Sequence, residues 1–289
     1  MRGRVCAVTG ASSGLGFETA LALARMGATV ALLCRSEERG ARARDLIAAQ
    51  TGSEALHVVH CDHANLDTVR AAAGELLERF DALHVLVNNA GLMLPQRRIT
   101  VDGLEETFQV NHLSAFLLTA LLRDRLAASA PARVVTVSSA AHRGLSLDFA
   151  DLQSVNRYDG LGVYARSKLA NVLFTYELAR RLEGSGVTAN TLHPGLVRTR
   201  FGHDNGAVMR AFMTLMQVPP FGVSPRRGAR TQVWLASAPE VDGVSGRYFV
   251  RRRARRSSRG SYDREAQRRL WDASEQLLSG AGDAPDLPD

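Results

Sequence analysis

One tyrosine and one lysine stand four residues apart in Tyr164-Ala165-Arg166-Ser167-Lys168. Of the 36 lysines and arginines, 35 are arginine and Lys168 is the single lysine. Arginine thus serves almost every cationic position, so a lone lysine marks a place where a compact ammonium differs from a guanidinium fork. The chain has five tyrosines, and only Tyr164 has a lysine four residues on. On a helix that spacing puts both side chains on one face. A free phenol titrates at about 10, too high for efficient proton exchange at neutral pH. A nearby ammonium favours the phenolate and lowers that value. Tyr164 can then give a proton to a carbonyl oxygen or take one from an alcohol. Ser139, just past a strand end, can hydrogen-bond the same oxygen and help fix its position.

A second group of residues follows the first strand. Thr9-Gly10-Ala11-Ser12-Ser13-Gly14-Leu15-Gly16 runs straight into a helix. Glycines there let the backbone turn sharply and approach a pyrophosphate. The helix N-terminus offers free N–H groups and the positive end of its dipole. The spacing is GxxxGxG rather than the commoner GxGxxG. Arg35 lies at the end of the second strand, twenty-one residues after Gly14. An acid at such a position holds a ribose 2′-hydroxyl, whereas an arginine suits a 2′-phosphate. NADP(H) is therefore preferred over NAD(H), with Ser36 and Arg39 available to add a hydrogen bond and positive field.

In order along the chain these motifs resemble the short-chain dehydrogenase/reductase family, in particular its retinol-dehydrogenase-like group of NADP(H)-using members. The resemblance runs from about Arg4 to Leu278. It implies a cofactor loop at Thr9, Gly10, Ser12, Ser13, Gly14, Leu15 and Gly16, and an adenine contact at Asp62. It also implies a loop at Asn88-Asn89-Ala90-Gly91 and a turn against the nicotinamide from Pro194 and Gly195 through Val197 to Thr199. By the same resemblance Asn111, Ser139, Tyr164 and Lys168 are catalytic. Lys168 would also bind the nicotinamide ribose, and Asn111 would hold a proton-relaying water. Gly246-Arg247-Tyr248-Phe249 and Leu270-Trp271-Asp272-Ala273-Ser274 resemble the group's C-terminal segment. Two positions depart from the pattern. His63 follows Asp62 where an apolar residue is usual, and Ser13 precedes Gly14 where many NADPH-preferring relatives are basic. Arg35 thus carries most of the cofactor preference.

The elements that must hold these residues alternate. Strands are expected at Val5 to Val8, Thr29 to Leu33, Ala55 to His60, Leu83 to Val87, Arg133 to Val137, Val187 to Leu192 and Tyr248 to Val250. Helices are expected at Gly14 to Arg25, after an N-cap at Ser36 to about Ala49, at Leu66 to Phe80, within Val101 to Ala128, and at Val163 to Leu182. Two more are expected at Arg227 to Ser237 and Glu265 to Leu278. Strands separated by helices imply crossovers and a parallel sheet covered on both faces. The expectation is an α/β chain: one doubly wound Rossmann-type domain over residues 1–279, with a parallel sheet of about seven strands. Residues 280–289 read as a disordered tail.

Substrate contacts are expected from loops beyond the carboxyl ends of the strands, at 140–162 and 201–224. The second contains Met209, Phe212, Met213, Leu215, Met216, Val218 and Phe221, which suit a pliable apolar pocket. Its cations are few, Arg210 with the neighbouring Arg200. A lipophilic ketone, aldehyde or secondary alcohol fits; retinoids and steroids are implied by the resemblance, with aromatic polyketides and xenobiotic carbonyls equally open.

Composition narrows the rest. The chain has 289 residues, 45% hydrophobic and 22% charged, as in an ordinary globular protein. It has no apolar run of about 18 residues for a membrane span, and no signal-peptide pattern. Cys6, Cys34 and Cys61 form no CxxC pair, which favours reduced thiols and the cytoplasm. The formal charge is +7. Between Arg247 and Arg269 ten arginines face two acids, a local +8, so the remainder is near neutral. No aromatic residue interleaves with Arg251 to Arg259, so a solvated surface is expected rather than a nucleic-acid site. Strand alternation sends His60 and Asp62 to one face and Cys61 and His63 to the other, so no metal site is expected. His193 reads as a packing or hydrogen-bonding residue, and His112 and His142 as candidates to face the cleft. Leu169, Ala170, Val172, Leu173, Phe174 and Leu178 make the Tyr164 helix apolar around much of its circumference, which suits either a homo-oligomer interface or burial in a monomer. A non-catalytic NADP(H) sensor is the alternative function, although such relatives usually lose the tyrosine or lysine. A sugar-nucleotide epimerase would need GxxGxxG, which Gly10, Gly14 and Gly16 do not fit.

Overall fold

Parallel strands cannot be joined by tight turns, so each apolar run must be followed by a crossover that covers one sheet face. The computed structural model describes residues 1–197 and 222–280. Its first half is β1 (Val5–Thr9), α1 (Gly14–Arg25), β2 (Thr29–Cys34), α2 (Glu37–Thr51), β3 (Leu56–His60), α3 (Leu66–Arg79) and β4 (Val85–Asn88). Then α4 (Glu106–Phe108) passes through a π-helical turn (Gln109–Leu113) into α5 (Ser114–Ala128). β5 (Ala132–Val137), a 3-10 turn (Ala140–His142), α6 (Gly160–Arg181) and β6 (Val187–His193) follow. The chain ends with α7 (Pro225–Ser237), β7 (Arg247–Val250), β8 (Arg253–Arg255) and α8 (Arg264–Gly280).

The strand order is β3-β2-β1-β4-β5-β6-β7-β8. Every neighbouring pair is parallel except β7 and β8. Side-chain alternation divides the core. Cys6, Val8, Val30 and Leu32 face α1 and α2, whereas Ala7, Ala31, Leu33 and Val59 belong to the layer with α3, α5, α6 and α8. The winding direction changes between β1 and β4, which opens a crevice beyond their carboxyl ends.

Among the described residues the sheet has eight strands rather than the expected seven or so. Arg253-Ala254-Arg255 is exposed and carries no apolar pattern, so nothing in its sequence marks a strand. It pairs because Arg251 and Arg252 adopt φ values of +51° and +61°, the two left-handed positions of a tight hairpin turn. Such turns usually announce themselves by Asn-Gly. The basic run therefore forms an exposed edge strand whose charges discourage pairing with other chains.

The apolar circumference of α6 is buried within this chain, with Leu169, Leu173, Phe174 and Leu178 all in the core. α8 supplies part of the cover. Trp271 lies with its ring centroid 4.6 Å from Phe116 and 6.0 Å from Phe174, and the Arg181 guanidinium sits 4.2 Å over it. α6 begins at Gly160, three residues earlier than expected, because Asp159 accepts the Gly162 N–H at 3.0 Å. Among the described residues no helix is long and apolar enough to cross a membrane. Of the expected tail 280–289, Gly280 is the last residue of α8; residues 281–289 and most of the loop 201–224, with Thr199, lie outside the described residues.

Trp271→Ala removes the largest side chain of the α8 contact. It should lower stability by about 3–5 kcal/mol, read from the midpoint of urea unfolding.

Candidate active site

All but the edge strand end on the same side of the sheet, and the carboxyl ends of β1, β4, β5 and β6 carry the residues singled out above. Thr9 closes β1. Its buried hydroxyl accepts the N–H groups of Asn89 and Ala90, each at 2.9 Å, and donates to the Val87 carbonyl at 3.4 Å. The Asn89 amide returns a bond to the Thr9 carbonyl at 2.8 Å. The glycine loop and the loop after β4 are thus one unit. Gly16 admits no side chain, because a Cβ there would stand 2.3 Å from the Gly10 carbonyl oxygen. Ser13 precedes α1 in extended conformation without a capping hydrogen bond from its side chain, and the first turn holds no acid. These N–H groups are therefore suited to an anion. Gln232 of α7 fastens the loop from below, bonding the Leu15 carbonyl at 3.1 Å and also Thr19.

Gly91 links this unit to Asn111 and Lys168. A Cβ on Gly91 would lie 3.1 Å from both Asn111 Oδ1 and Lys168 Nζ. Asn111 sits buried in the π-helical turn, where the backbone ladder is re-registered. Its side-chain amide is committed: Oδ1 accepts the Leu92 N–H at 2.7 Å, and Nδ2 donates to the Leu92 carbonyl and Ser167 Oγ, both at 2.9 Å. Ser167 in turn donates to the Tyr164 carbonyl at 2.7 Å. Ser139 acts on the buried Tyr164 hydroxyl, favouring its ionised form. Lys168 Nζ lies 5.7 Å from the Tyr164 ring centroid and donates to the Val137 carbonyl at 3.4 Å.

The electrostatics differ from the simple expectation of a lysine that lowers the tyrosine. Burial dominates both groups. It pushes Tyr164 up to about 12, against a lowering by the neighbouring Ser139 side chain, and it pulls Lys168 down to about 8. The reason is that the same desolvation penalises phenolate and ammonium alike.

The adenosine end is more open. Arg35 is exposed directly after β2. Arg39 and Arg42 line a cleft of about 360 Å³ with Ser12, Ser13 and Gly14, and Arg42 also pairs with Glu38. Ser36 Oγ caps α2 by accepting the Arg39 N–H at 3.3 Å. Asp62 Oδ1 accepts the Ala64 N–H at 3.1 Å. His63 is accommodated as a buried histidine, bonded to Ser114 Oγ at 2.9 Å and lowered to about 4 by burial. Among the described residues no three His, Cys, Asp or Glu side chains are grouped to hold a metal ion.

Gly195, with φ of +94°, turns the chain after β6, and Val197 pairs with Val223. Val197 and Leu15 both meet at Gly228, which brings the two loops together. Loop 140–162 packs on the segment after β4: Tyr158 donates to the Leu94 carbonyl at 3.0 Å, and the Glu105 N–H donates to Gln153 Oε1 at 2.7 Å. His112 does not reach this cleft. It is buried against Phe108, Phe116 and Phe174 and bonds Ser274 of α8 at 2.9 Å. Ser167, Arg42 and Gln232 are the contributors that motif reading passes over. Ser167 alone had a signal, its place between Tyr164 and Lys168 on one helix. A larger groove of about 800 Å³ opens at the amino ends of β5 to β7 and contains none of these residues.

The doubly wound sheet, the open α1 N-terminus and the Ser139–Tyr164–Lys168 grouping define a nicotinamide-dependent oxidoreductase acting on CH–OH and C=O groups. The family model for short chain dehydrogenase matches residues 4–208, and the chain belongs to that family. It is 41% identical over 280 residues to retinol dehydrogenase 13 of Homo sapiens, covering 96% of this chain and 85% of that one. An uncharacterized protein from Mycobacterium Paratuberculosis shares the fold with a TM-score of 0.77 at 34% identity, covering 96% of this chain and 94% of the other. The Pseudomonas aeruginosa RhlG/NADP active-site complex gives a TM-score of 0.69 at 26% identity, covering 86% and 94%.

Gly16→Ala should weaken dinucleotide binding by at least about tenfold, because the Gly10 backbone must shift to admit the methyl group. Titration of cofactor fluorescence checks this.

Proposed function

We propose that this protein is an NADPH-dependent reductase of lipophilic ketones or aldehydes, able to oxidise the corresponding alcohols, with Tyr164 as general acid/base. The observation that carries the reading is the buried Tyr164 phenol under the influence of Ser139, with Lys168 Nζ 5.7 Å from its ring centroid and Gly91 joining Lys168 and Asn111 to the glycine loop. The residues fit the cofactor. The uncapped, acid-free start of α1 would take the pyrophosphate, with Gly10, Gly14, Leu15 and Gly16 allowing its approach. Arg35 and Arg39, with Ser12 and Ser13, would take a 2′-phosphate, and the RhlG/NADP complex is in accord with that. Asp62 would contact adenine. Asn89, Ala90, Gly91, Pro194, Gly195, Val197 and Thr199 would frame the nicotinamide half. Bound there, the cofactor supplies the hydride.

The chain's own residues manage the proton. Tyr164 donates it to the substrate oxygen during reduction, and Ser139 donates a hydrogen bond to the same oxygen. Lys168 keeps N–H donors for ribose hydroxyls and a positive charge near the phenol. Asn111, held rigid by Leu92 and Ser167, keeps the π-helical turn in place for a relay water. The lipophilic class rests on the apolar residues of 201–224 and on the name of the retinol dehydrogenase relative.

The test is NADPH consumption with a panel of lipophilic carbonyls. Tyr164→Phe should reduce turnover by about 100-fold or more while NADPH still binds. Undiminished turnover in that variant overturns the role of Tyr164, and cofactor binding without any turnover favours the sensor. Reduction should persist to about pH 8 and fall above it, because Tyr164 stays protonated while Lys168 loses its charge. Oxidation, which needs the phenolate, should rise with pH. Removing Arg35 and Arg39 together should raise the KM for NADPH by about tenfold and leave NADH nearly unchanged.

A further inference from the structure

The peptide that follows Ser139 is held on both edges by imidazoles. Its carbonyl, that of Ser139, accepts a hydrogen bond from His142 Nδ1 and a second, at 3.3 Å, from the His142 backbone N–H. Its N–H, that of Ala140, donates to His193 Nδ1 at 3.1 Å. On the far side of the ring, His142 Nε2 accepts the Ser258 N–H at 3.1 Å. These backbone partners dictate the tautomers. A carbonyl only accepts, so His142 carries its hydrogen on Nδ1. An N–H only donates, so His142 Nε2 and His193 Nδ1 are bare. Both rings are neutral. Burial lowers each, His193 to about 4, and the nearby Arg143 adds to this on both, Arg251 on His193.

The anchor behind His142 is rigid. The ring meets buried Tyr248 of β7 edge-on at 5.0 Å. Arg143 donates to the carbonyls of Arg256 at 2.6 Å and Ser257 at 3.4 Å. The loop leaving β5 is thus tied to the segment after β8. Ser139 itself is extended, and its Oγ accepts the Ala141 N–H at 3.2 Å. A tilt of the Ser139–Ala140 peptide would swing that hydroxyl away from Tyr164.

We infer that His142 and His193 are positioning residues, which clamp the Ser139–Ala140 peptide from opposite edges and so aim the Ser139 hydroxyl. The inference rests on the reading of Ser139 as the group that holds the substrate oxygen. It also gives the basic run between Arg251 and Arg259 a task carried by its backbone rather than its charge.

Two substitutions separate hydrogen bonding from packing. His142→Gln keeps an amide N–H for the Ser139 carbonyl and an amide oxygen for the Ser258 N–H. His142→Phe keeps the ring against Tyr248 and loses both bonds. The full-length variants are compared in kcat, KM and NADPH affinity, with Ser139→Ala alongside. Expected is a kcat lower by about tenfold or more in His142→Phe, with NADPH affinity unchanged, and recovery of most of it in His142→Gln. A fully active His142→Phe, or a folded His142→Gln as poor as it, overturns the clamp. If His142→Phe fails to fold, the kcat of His142→Gln decides in the same way. An unaffected Ser139→Ala removes the reading beneath the clamp, whereas an impaired Ser139→Ala with an intact His142→Phe removes the clamp alone. Nitrogen NMR of the histidine rings reads the same geometry without turnover. The Nδ1–H form at His142 with the Nε2–H form at His193 supports the clamp, and the opposite tautomer at either overturns it.

Discussion

The hydroxyl of Thr9 is the joint on which the carboxyl edge of the sheet depends. A parallel sheet releases each strand into a loop at the same edge, and every loop leaves backbone donors that need partners. Thr9 takes two of them from the β4 loop while giving its own proton to Val87. That single side chain aligns the glycine loop with Gly91. Gly91 in turn packs tightly beside Asn111 and Lys168, where a Cβ would come within 3.1 Å of both. The glycine-loop side and the Asn111–Lys168 side of the cleft are therefore set relative to each other by short contacts rather than by long loops.

Around that joint the chain accepts polar groups in places that are otherwise apolar; many of them are paired, while Asn88 Oδ1, Asn171 Oδ1 and Gln232 Oε1 have no partner among the described residues. Asn111 spends its amide on Leu92 and Ser167; Ser138 donates to the Lys168 carbonyl at 2.7 Å, and the Asn171 amide reaches the Val137 carbonyl at 3.2 Å. An unpaired buried donor costs more than a formed bond returns, so such a network tolerates few arrangements. Burial also explains the proton inventory. Tyr164 is held as phenol and Lys168 is brought within reach of neutrality, which suits donation to a carbonyl more than abstraction from an alcohol at neutral pH.

The C-terminal segment completes the far side. α8 covers the faces of α5 and α6 with Trp271, and the residues between β8 and α8 supply backbone partners to His142 and Arg143. A stretch whose sequence shows mostly arginine thus acts at both a sheet edge and the rear of the Ser139 loop. Its side chains are exposed while Ser257 and Ser258 are buried.

Much was legible in the residues themselves. The alternation of apolar runs and amphipathic stretches specified a doubly wound α/β sheet, because period and length distinguish strands from helices before any contact forms. The motifs pointed to the family, and the lone Lys168 four residues after Tyr164 drew attention to that pair. Three things waited for tertiary structure. The eighth strand has no apolar pattern, and only a left-handed Arg251–Arg252 turn lays it on β7. The apolar surface of α6 could have met another subunit or its own chain, and α8, more than eighty residues downstream, contributes to its cover. The partners of His142 and His193 are backbone groups, whose hydrogen bonding carries no signature in residue type. Local pattern encodes elements, whereas desolvation, tautomer and close approach arise only when distant segments are brought together.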